Sequence, residues 1–133
     1  MNNTKLVTCI RRDLKMRRGK EIAQGGHGCM SFLTRNMKGP VISVTGNIVW
    51  EIPFDQIQQD WLDSSYAKIC VRVDSEAELL AVHQAALDAG IVSHLVQDAG
   101  RTEFGGVATF TCCTIGPDTV ERIDKVTGHL ELY

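Results

Sequence analysis

The most informative stretch of the chain is Asp13–Gly28, which reads Asp-Leu-Lys-Met-Arg-Arg-Gly-Lys-Glu-Ile-Ala-Gln-Gly-Gly-His-Gly. It follows the apolar run Leu6–Ile10, which predicts a buried strand, and it leads into a segment with helical periodicity. The net charge of the chain is only −2, yet six of its fourteen basic residues lie within ten positions: Arg11, Arg12, Lys15, Arg17, Arg18 and Lys20. This local concentration of positive charge suits an anionic ligand, although most basic loops are simply solvated.

The helix after this basic segment carries its polar residues on one side. If it begins near Gly19, the spacing of Lys20, Gln24 and His27 aligns a cation, an amide and an imidazole along one face. Three glycines surround the histidine, at a cost of about 1 kcal/mol each relative to alanine. Such glycines indicate close approach of the helix backbone to a neighbouring element or to a ligand.

Length and composition predict one globular domain over residues 1–133. Five cysteines without paired-ligand spacing and four histidines far apart in sequence favour reduced thiols and argue against a zinc site. The first five residues lack the apolar core of a signal peptide, and no apolar run reaches membrane-spanning length. We therefore expect a soluble, cytoplasmic protein with a localised basic site rather than one that coats nucleic acid.

The order of predicted elements is strand, helix, insertion, strand, helix, strand, strand, helix, which implies a mixed α/β sheet with helices on both faces. The insertion, about residues 39–65, is interpreted as peripheral, with a hairpin around Thr45-Gly46-Asn47 and helical spacing after Pro53. Ser75 and Glu78 match a capping box for the second helix. Gly116-Pro117 is predicted to end the last strand, with Pro117 in the first turn of a short final helix.

A second polar turn, Gln97–Thr102, follows another predicted strand. If this strand runs in the same direction as Leu6–Ile10, Asp98 and Thr102 come near Lys20 and His27, because ligands of open α/β sheets bind at the carboxyl ends of the strands. A carboxylate there could orient or deprotonate water, while a lysine and a hydroxyl stabilise negative charge. The residues alone also fit a plain Asp-Ala-Gly turn, and this simpler interpretation is somewhat favoured.

Four separated motifs together resemble the type-2 peptidyl-tRNA hydrolase family. They are Asp13-Leu-Lys-Met-x-x-Gly-Lys-x-x-Ala-Gln-x-x-His27, Gln97-Asp-Ala-Gly-Arg-Thr102, Ile115-Gly-Pro117 and Asp124-Lys-Val-Thr-Gly-His-Leu-x-Leu-Tyr133. The resemblance runs from Lys5 to the C-terminus, apart from the middle of the chain. It implies a four-stranded mixed sheet with helices on both sides, often in a homodimer. It also implies hydrolysis of the ester between a peptide and the 3′ end of tRNA, without a metal, a cofactor or a covalent enzyme intermediate, so that stalled peptidyl-tRNA is recycled (ribosome rescue).

The resemblance also assigns site residues. The catalytic set that it implies is Lys20, Gln24, His27, Asp98, Thr102 and Thr111. Combined with the charge pattern, it makes the following residues candidates for contact with tRNA phosphates: Arg11, Arg12, Lys15, Arg17, Arg18 and Arg101. Two alternatives stay open, namely a catalytically weak or inactive module that binds tRNA or protein, and an editing hydrolase that acts on misacylated tRNA.

Overall fold

Four strands form one mixed sheet in the computed structural model, which describes residues 3–133. The first two residues lie outside the described residues. They belong to the predicted domain and to the amino-terminal segment in which the sequence predicts no signal peptide. In chain order the elements are β1 (Thr4–Arg11), α1 (Arg18–Thr34), β2 (Lys38–Ile42), β3 (Ile48–Glu51), α2 (Gln56–Asp63), β4 (Lys68–Val73), α3 (Glu76–Asp88), β5 (Ser93–Asp98), β6 (Thr109–Thr119) and α4 (Val120–Thr127). Among residues 3–133, no helix is both long and apolar enough to cross a bilayer.

The strand order in the main sheet is β4-β1-β6-β5. Strand β1 pairs in parallel with β4 and antiparallel with β6, which pairs antiparallel with β5. Strands β1 and β5 therefore point the same way, and their carboxyl ends meet at one edge of the sheet. This topology confirms the predicted α/β fold class with a four-stranded mixed sheet.

Helices cover both faces of the sheet because neighbouring side chains of β1 point to opposite sides. Leu6 packs with Phe32 of α1 and Trp61 of α2 on one face. Val7 and Cys9 pack on the other face in a larger cluster with the apolar sides of α3 and α4. All three of these β1 side chains are at most 1% exposed, which explains why the strand is apolar along its whole length.

The span 39–65 has two structurally different parts. Strands β2 and β3 form the predicted hairpin, with Val41 opposite Val49, and every residue of both strands is exposed. Helix α2 instead contributes to the core through Trp61, whose ring packs edge-on against Phe32 with centroids 5.5 Å apart. The Trp61 Nε1 donates to the carbonyl of Ala67 at 2.9 Å. The hairpin is therefore peripheral and α2 is not, while the interpretation of the span as an insertion stays a prediction.

The prediction that Gly116-Pro117 ends the last strand was wrong. Strand β6 continues to Thr119, and the pairs Lys5–Asp118 and Thr4–Thr119 resume the ladder with β1 after a register shift. Gly116 adopts a φ of +100°, which a residue with a Cβ rarely takes, and this lets the strand bend and rejoin its neighbour. Helix α4 begins only after Thr119, whose hydroxyl accepts a hydrogen bond from the Arg122 amide.

The predicted capping box of α3 is formed only in part. The Ser75 hydroxyl accepts from the Glu78 amide at 3.0 Å, as expected for an N-cap. The Glu78 carboxylate accepts from the amide of Asp74, one residue before the expected partner, at 3.0 Å. One more amide at the start of the helix is satisfied in this way, although it is not the one that the motif specifies.

Helix α1 lies very close to the sheet at Gly28. A Cβ at this position would stand only 2.2 Å from Oγ1 of Thr114 in β6. At Gly26, two residues earlier, a Cβ would meet nothing within 4 Å. Of the two explanations considered for these glycines, close approach to a neighbouring element therefore accounts for Gly28.

The C-terminal residues extend the sheet beyond β4. The Arg72 amide donates to the Glu131 carbonyl, and the Tyr133 amide donates to the Cys70 carbonyl. The Tyr133 hydroxyl then donates to Oε1 of Glu21 in the first turns of α1 at 2.6 Å. Burial and the Glu21 carboxylate raise the pKa of Tyr133 to about 12.

Candidate active site

Lys20 and Asp98 form an ion pair where the carboxyl ends of β1 and β5 meet. The Lys20 Nζ lies 2.8 Å from Oδ1 of Asp98 and donates at the same distance to Oγ1 of Thr102. Both charged side chains are largely buried, with 14% and 16% of their areas exposed. The structure thus brings together an ammonium, a carboxylate and a hydroxyl from segments about 80 residues apart in sequence.

A chain of buried hydrogen bonds from Thr111 through Gln24 holds the Asp98 carboxylate of this ion pair in place. The Thr111 hydroxyl donates to Oε1 of Gln24 at 2.5 Å, and Nε2 of Gln24 donates to Oδ1 of Asp98 at 3.3 Å. Thr111 and Gln24 are at most 1% exposed. Because a hydroxyl proton on Oε1 leaves only the NH₂ group to face the carboxylate, Thr111 sets the orientation of the Gln24 amide.

The Asp98 carboxylate is stabilised in its ionised form. Hydrogen bonding by Lys20 is the main cause that lowers the pKa of Asp98, supported by the Gly100 amide, the Lys20 charge and Gln24, against an opposing effect of burial. The Gly100 amide donates to Oδ2 at 2.8 Å. Gly100 has a φ of +80°, and a Cβ there would stand 2.2 Å from the Val107 carbonyl oxygen, so this tight turn requires glycine.

His27 lies on the same helix but stands apart from this network. Its side chain is exposed, one helical turn beyond Gln24. None of the hydrogen bonds found among residues 3–133 involves its ring. His27 therefore lies at the surface, outside the network. The other five predicted catalytic residues are joined in one hydrogen-bond network: Lys20, Gln24, Asp98, Thr102 and Thr111.

The predicted phosphate-binding residues fall into two groups. Arg11 is mostly buried, and its guanidinium holds both carboxylate oxygens of Asp13 and the Phe110 carbonyl. Arg12 is exposed and lies over the Tyr133 ring, 5.9 Å from its centroid. The remaining side chains are exposed: Lys15, Arg17, Arg18 and Arg101. Arg11 thus supports the loop. The other five are exposed, four of them at or just before the amino end of α1 and Arg101 next to Thr102, and together we call them the basic surface.

Two residues next to Thr102 belong to the site although no sequence pattern singles them out. Glu103 accepts from the Arg17 amide at 3.3 Å and lies 3.7 Å from Nε of its guanidinium. The Phe104 ring faces the Lys20 ammonium, with Nζ 5.6 Å from the ring centroid. Their position directly after the Asp98–Thr102 turn is the only signal in the sequence that could have identified them.

This arrangement fits ester hydrolysis. An ammonium with three N–H groups uses two of them for Asp98 and Thr102, so one is left to meet a negative charge that develops on a substrate oxygen. The ionised Asp98 is an acceptor that can orient a water molecule for attack. Among residues 3–133, no three His, Cys, Asp or Glu side chains lie close enough together to hold a metal ion.

The sequence and the fold of this chain are similar to those of several known proteins. A family model described as "Peptidyl-tRNA hydrolase PTH2" matches residues 4–133. The peptidyl-tRNA hydrolase of Methanocaldococcus jannaschii is 36% identical over 129 residues, which cover 96% of this chain and 98% of that protein. The peptidyl-tRNA hydrolase of Methanothermobacter thermautotrophicus is 38% identical over 128 residues, with 96% and 98% covered. A solved structure of a protein of unknown function from Agrobacterium tumefaciens C58 has a TM-score of 0.56 at 17% identity, covers 100% of this chain and 99% of its own, and supports the fold alone.

Proposed function

The chain belongs to the PTH2 family of peptidyl-tRNA hydrolases, and on this basis we propose that it hydrolyses the ester between a peptide and the 3′ end of tRNA at the cleft around Lys20 and Asp98. The observation that carries the assignment of the site is the 2.8 Å contact of the Lys20 ammonium with both Asp98 and Thr102. It supplies a positive charge and a water-orienting carboxylate side by side, as attack on an ester carbonyl requires.

In the proposed reaction, Asp98 orients the attacking water and Lys20 stabilises the oxyanion of the tetrahedral intermediate. The Thr102 hydroxyl accepts a hydrogen bond from the Lys20 ammonium, so its own O–H group is free to donate a hydrogen bond to the substrate or to the water. Loss of one oxyanion donor typically costs about 2.7–4 kcal/mol in the barrier. The Lys20 ammonium is expected to contribute on this scale.

Gln24 and Thr111 act on the Asp98 carboxylate rather than on the ester in this proposal. Their buried hydrogen-bond chain holds one carboxylate oxygen toward Lys20, so the geometry of the pair is set before substrate binds. His27, exposed on the same face of α1, would contact the substrate once it is bound.

The basic surface at the amino end of α1 is proposed to bind phosphates of the tRNA acceptor end. The candidates are the exposed cations of this surface: Arg12, Lys15, Arg17, Arg18 and Arg101. Phosphate contacts of this kind weaken steeply as salt is added. Arg11, which is held by Asp13, would contribute by keeping the loop in place.

Cleavage of N-acetyl-aminoacyl-tRNA by the wild type and by Lys20→Ala tests the proposal. We expect Lys20→Ala to lower kcat by about 10²–10³-fold, as for removal of an oxyanion donor. Lys5→Ala is the matched control, because it breaks another Lys–Asp pair, with Asp124 at 2.6 Å, at the opposite edge of the sheet. Equal activity of Lys20→Ala and Lys5→Ala would contradict the assigned role.

The same assay separates the alternative functions. Wild-type protein that binds tRNA in a gel shift but cleaves no ester would be a binding module. Wild-type protein that prefers free aminoacyl-tRNA to the N-acetylated form would be an editing hydrolase. The family membership favours the peptidyl-tRNA substrate over both.

The wider role is part of the same proposal. We expect release of tRNA from stalled peptidyl-tRNA (ribosome rescue) and assembly into a homodimer on the strength of the family resemblance. We expect action in the cytoplasm from the sequence pattern alone. Sedimentation at several protein concentrations tests the dimer. Accumulation of peptidyl-tRNA in cells that lack the protein, and its reversal by the wild type but not by Lys20→Ala, tests the cellular role.

A further inference from the structure

We propose that Phe104 is a positioning residue for Lys20, because the face of its ring holds the ammonium in the catalytic cleft. The proposal rests on the function proposed above for Lys20. It concerns a residue of the loop between β5 and β6 that is neither part of the hydrogen-bond network nor among the residues that the sequence motifs specify.

The ammonium of Lys20 has two kinds of neighbour, hydrogen-bond acceptors and an aromatic ring. Asp98 and Thr102 accept its hydrogen bonds at 2.8 Å each. The ammonium also lies over the face of the Phe104 ring, with Nζ 5.6 Å from the ring centroid. A cation within about 6 Å of an aromatic face is attracted by the negative potential of the ring.

The ring is itself held in place. It packs against a buried apolar cluster made of Ile10, Met16, Val96 and Cys112. The loop that carries it folds back on itself, since the Val107 amide donates to the Phe104 carbonyl at 3.0 Å and the Gly106 amide donates to the Gly100 carbonyl at 2.8 Å. Phe104 therefore connects the flexible end of a lysine to the core of the protein.

A lysine side chain needs such a connection because its four-carbon stem has many rotamers. Fixing the ammonium before the reaction avoids an ordering cost in the transition state. The strength of a cation–aromatic contact corresponds to a factor of roughly 2 to 30 in rate. We expect loss of the aromatic face to lower kcat by a factor in this range and to leave KM nearly unchanged, because the oxyanion forms only after binding.

Fluorinated phenylalanines at position 104 test the proposal with little change in ring shape. Mono-, tri- and pentafluorophenylalanine withdraw progressively more electron density from the ring face, so kcat should fall stepwise along the series. Phe104→Leu should have a kcat as low as the lowest of the fluorinated series, and Phe104→Trp should retain most of the wild-type kcat. The control is Phe54→Leu, which removes a ring that packs against Phe32 in a separate apolar cluster.

A measurement without substrate completes the test. The ring current of Phe104 should shift the NMR signals of the Lys20 Cε protons upfield in the wild type, and this shift should vanish in Phe104→Leu but not in Phe54→Leu. Equal kcat along the fluorinated series, a rise in kcat, or the absence of the ring-current shift would each overturn the proposal. Failure of the wild type to cleave peptidyl-tRNA would overturn the proposed function instead, and the NMR result would then decide the position of the ring.

Discussion

Replacement of Gly28 by alanine is expected to destabilise the protein, although alanine is the better helix former. Helix α1 passes so close to β6 that the new Cβ would stand 2.2 Å from Oγ1 of Thr114. Thr114 is a β-branched residue in a buried strand, 1% exposed, so it has little freedom to move away. The helix itself would have to shift, and with it Lys20 and Gln24.

The magnitude follows from a comparison with Gly26→Ala. Each substitution gains about 1 kcal/mol of helix propensity. Only Gly28→Ala also pays an overpacking cost of about 1–3 kcal/mol, because a Cβ at Gly26 meets nothing within 4 Å. The propensity terms cancel, so the unfolding free energies of the two variants should differ by about 1–3 kcal/mol. For a chain of this size, this corresponds to a difference in Tm of about 4–12 °C.

Urea unfolding of both variants measures this difference, and a double substitution identifies its cause. In a Thr114→Ala background, the closest atoms to the new Cβ would be Cγ2 of Thr8 at 3.5 Å and Cβ of residue 114 at 3.6 Å, which is ordinary contact. The cost of Gly28→Ala should then largely disappear. Equal stability of Gly28→Ala and Gly26→Ala, or no recovery in the double variant, would refute the reasoning.

Two further predictions concern the charges of the site. Glu103→Gln removes a carboxylate from beside Arg17, so the phosphates of tRNA should meet less repulsion. We expect KM for peptidyl-tRNA to fall by roughly 2–5-fold at low salt, with kcat unchanged. Glu121→Gln on α4 is the control, and an unchanged KM in Glu103→Gln would contradict the prediction. In Lys20→Ala the pKa of Asp98 should rise, because the main cause that lowers it is removed. Since that pKa is lowered in the folded protein, ionised Asp98 stabilises the wild type above the ordinary carboxyl pKa of about 3.9, and this stabilisation is lost as the pH falls through the lowered value. Carboxyl-carbon NMR titration measures the pKa, and a titration unchanged from the wild type would show that Lys20 is not the cause.

The elements that the sequence predicts well are those with a clear local signal, either a pattern of buried residues or a turn. Leu6–Ile10 is apolar because both of its faces are covered by helices, and the β2–β3 hairpin follows from the turn at Gly46. The last strand was predicted too short because Gly116-Pro117 is a typical stop signal. Pairing of Lys5 with Asp118, which lies 113 positions away, overrides this local signal.

The site was predictable only where a motif marks it. Lys20 and Gln24 share a helix face, and Asp98 lies in a conspicuous turn, so their types and spacing are visible in the sequence. The roles of Glu103 and Phe104 depend on how the loop after Asp98 folds back over α1, which depends on contacts such as Gly106 to Gly100. The sequence also did not predict the ion pair between Arg11 and Asp13, since a charge pattern does not show which cations are already paired.

The pairing of the last residues with β4 has a practical consequence. The backbone of Tyr133 lies beside Cys70 of β4, while its side-chain hydroxyl reaches Glu21 on the helix that carries Lys20. A tag or fusion partner joined to Tyr133 would strain this contact with α1, the helix to which we assign the proposed site. Purification handles and fluorescent labels should therefore be attached at the amino end, which leads into β1 at the opposite edge of the sheet.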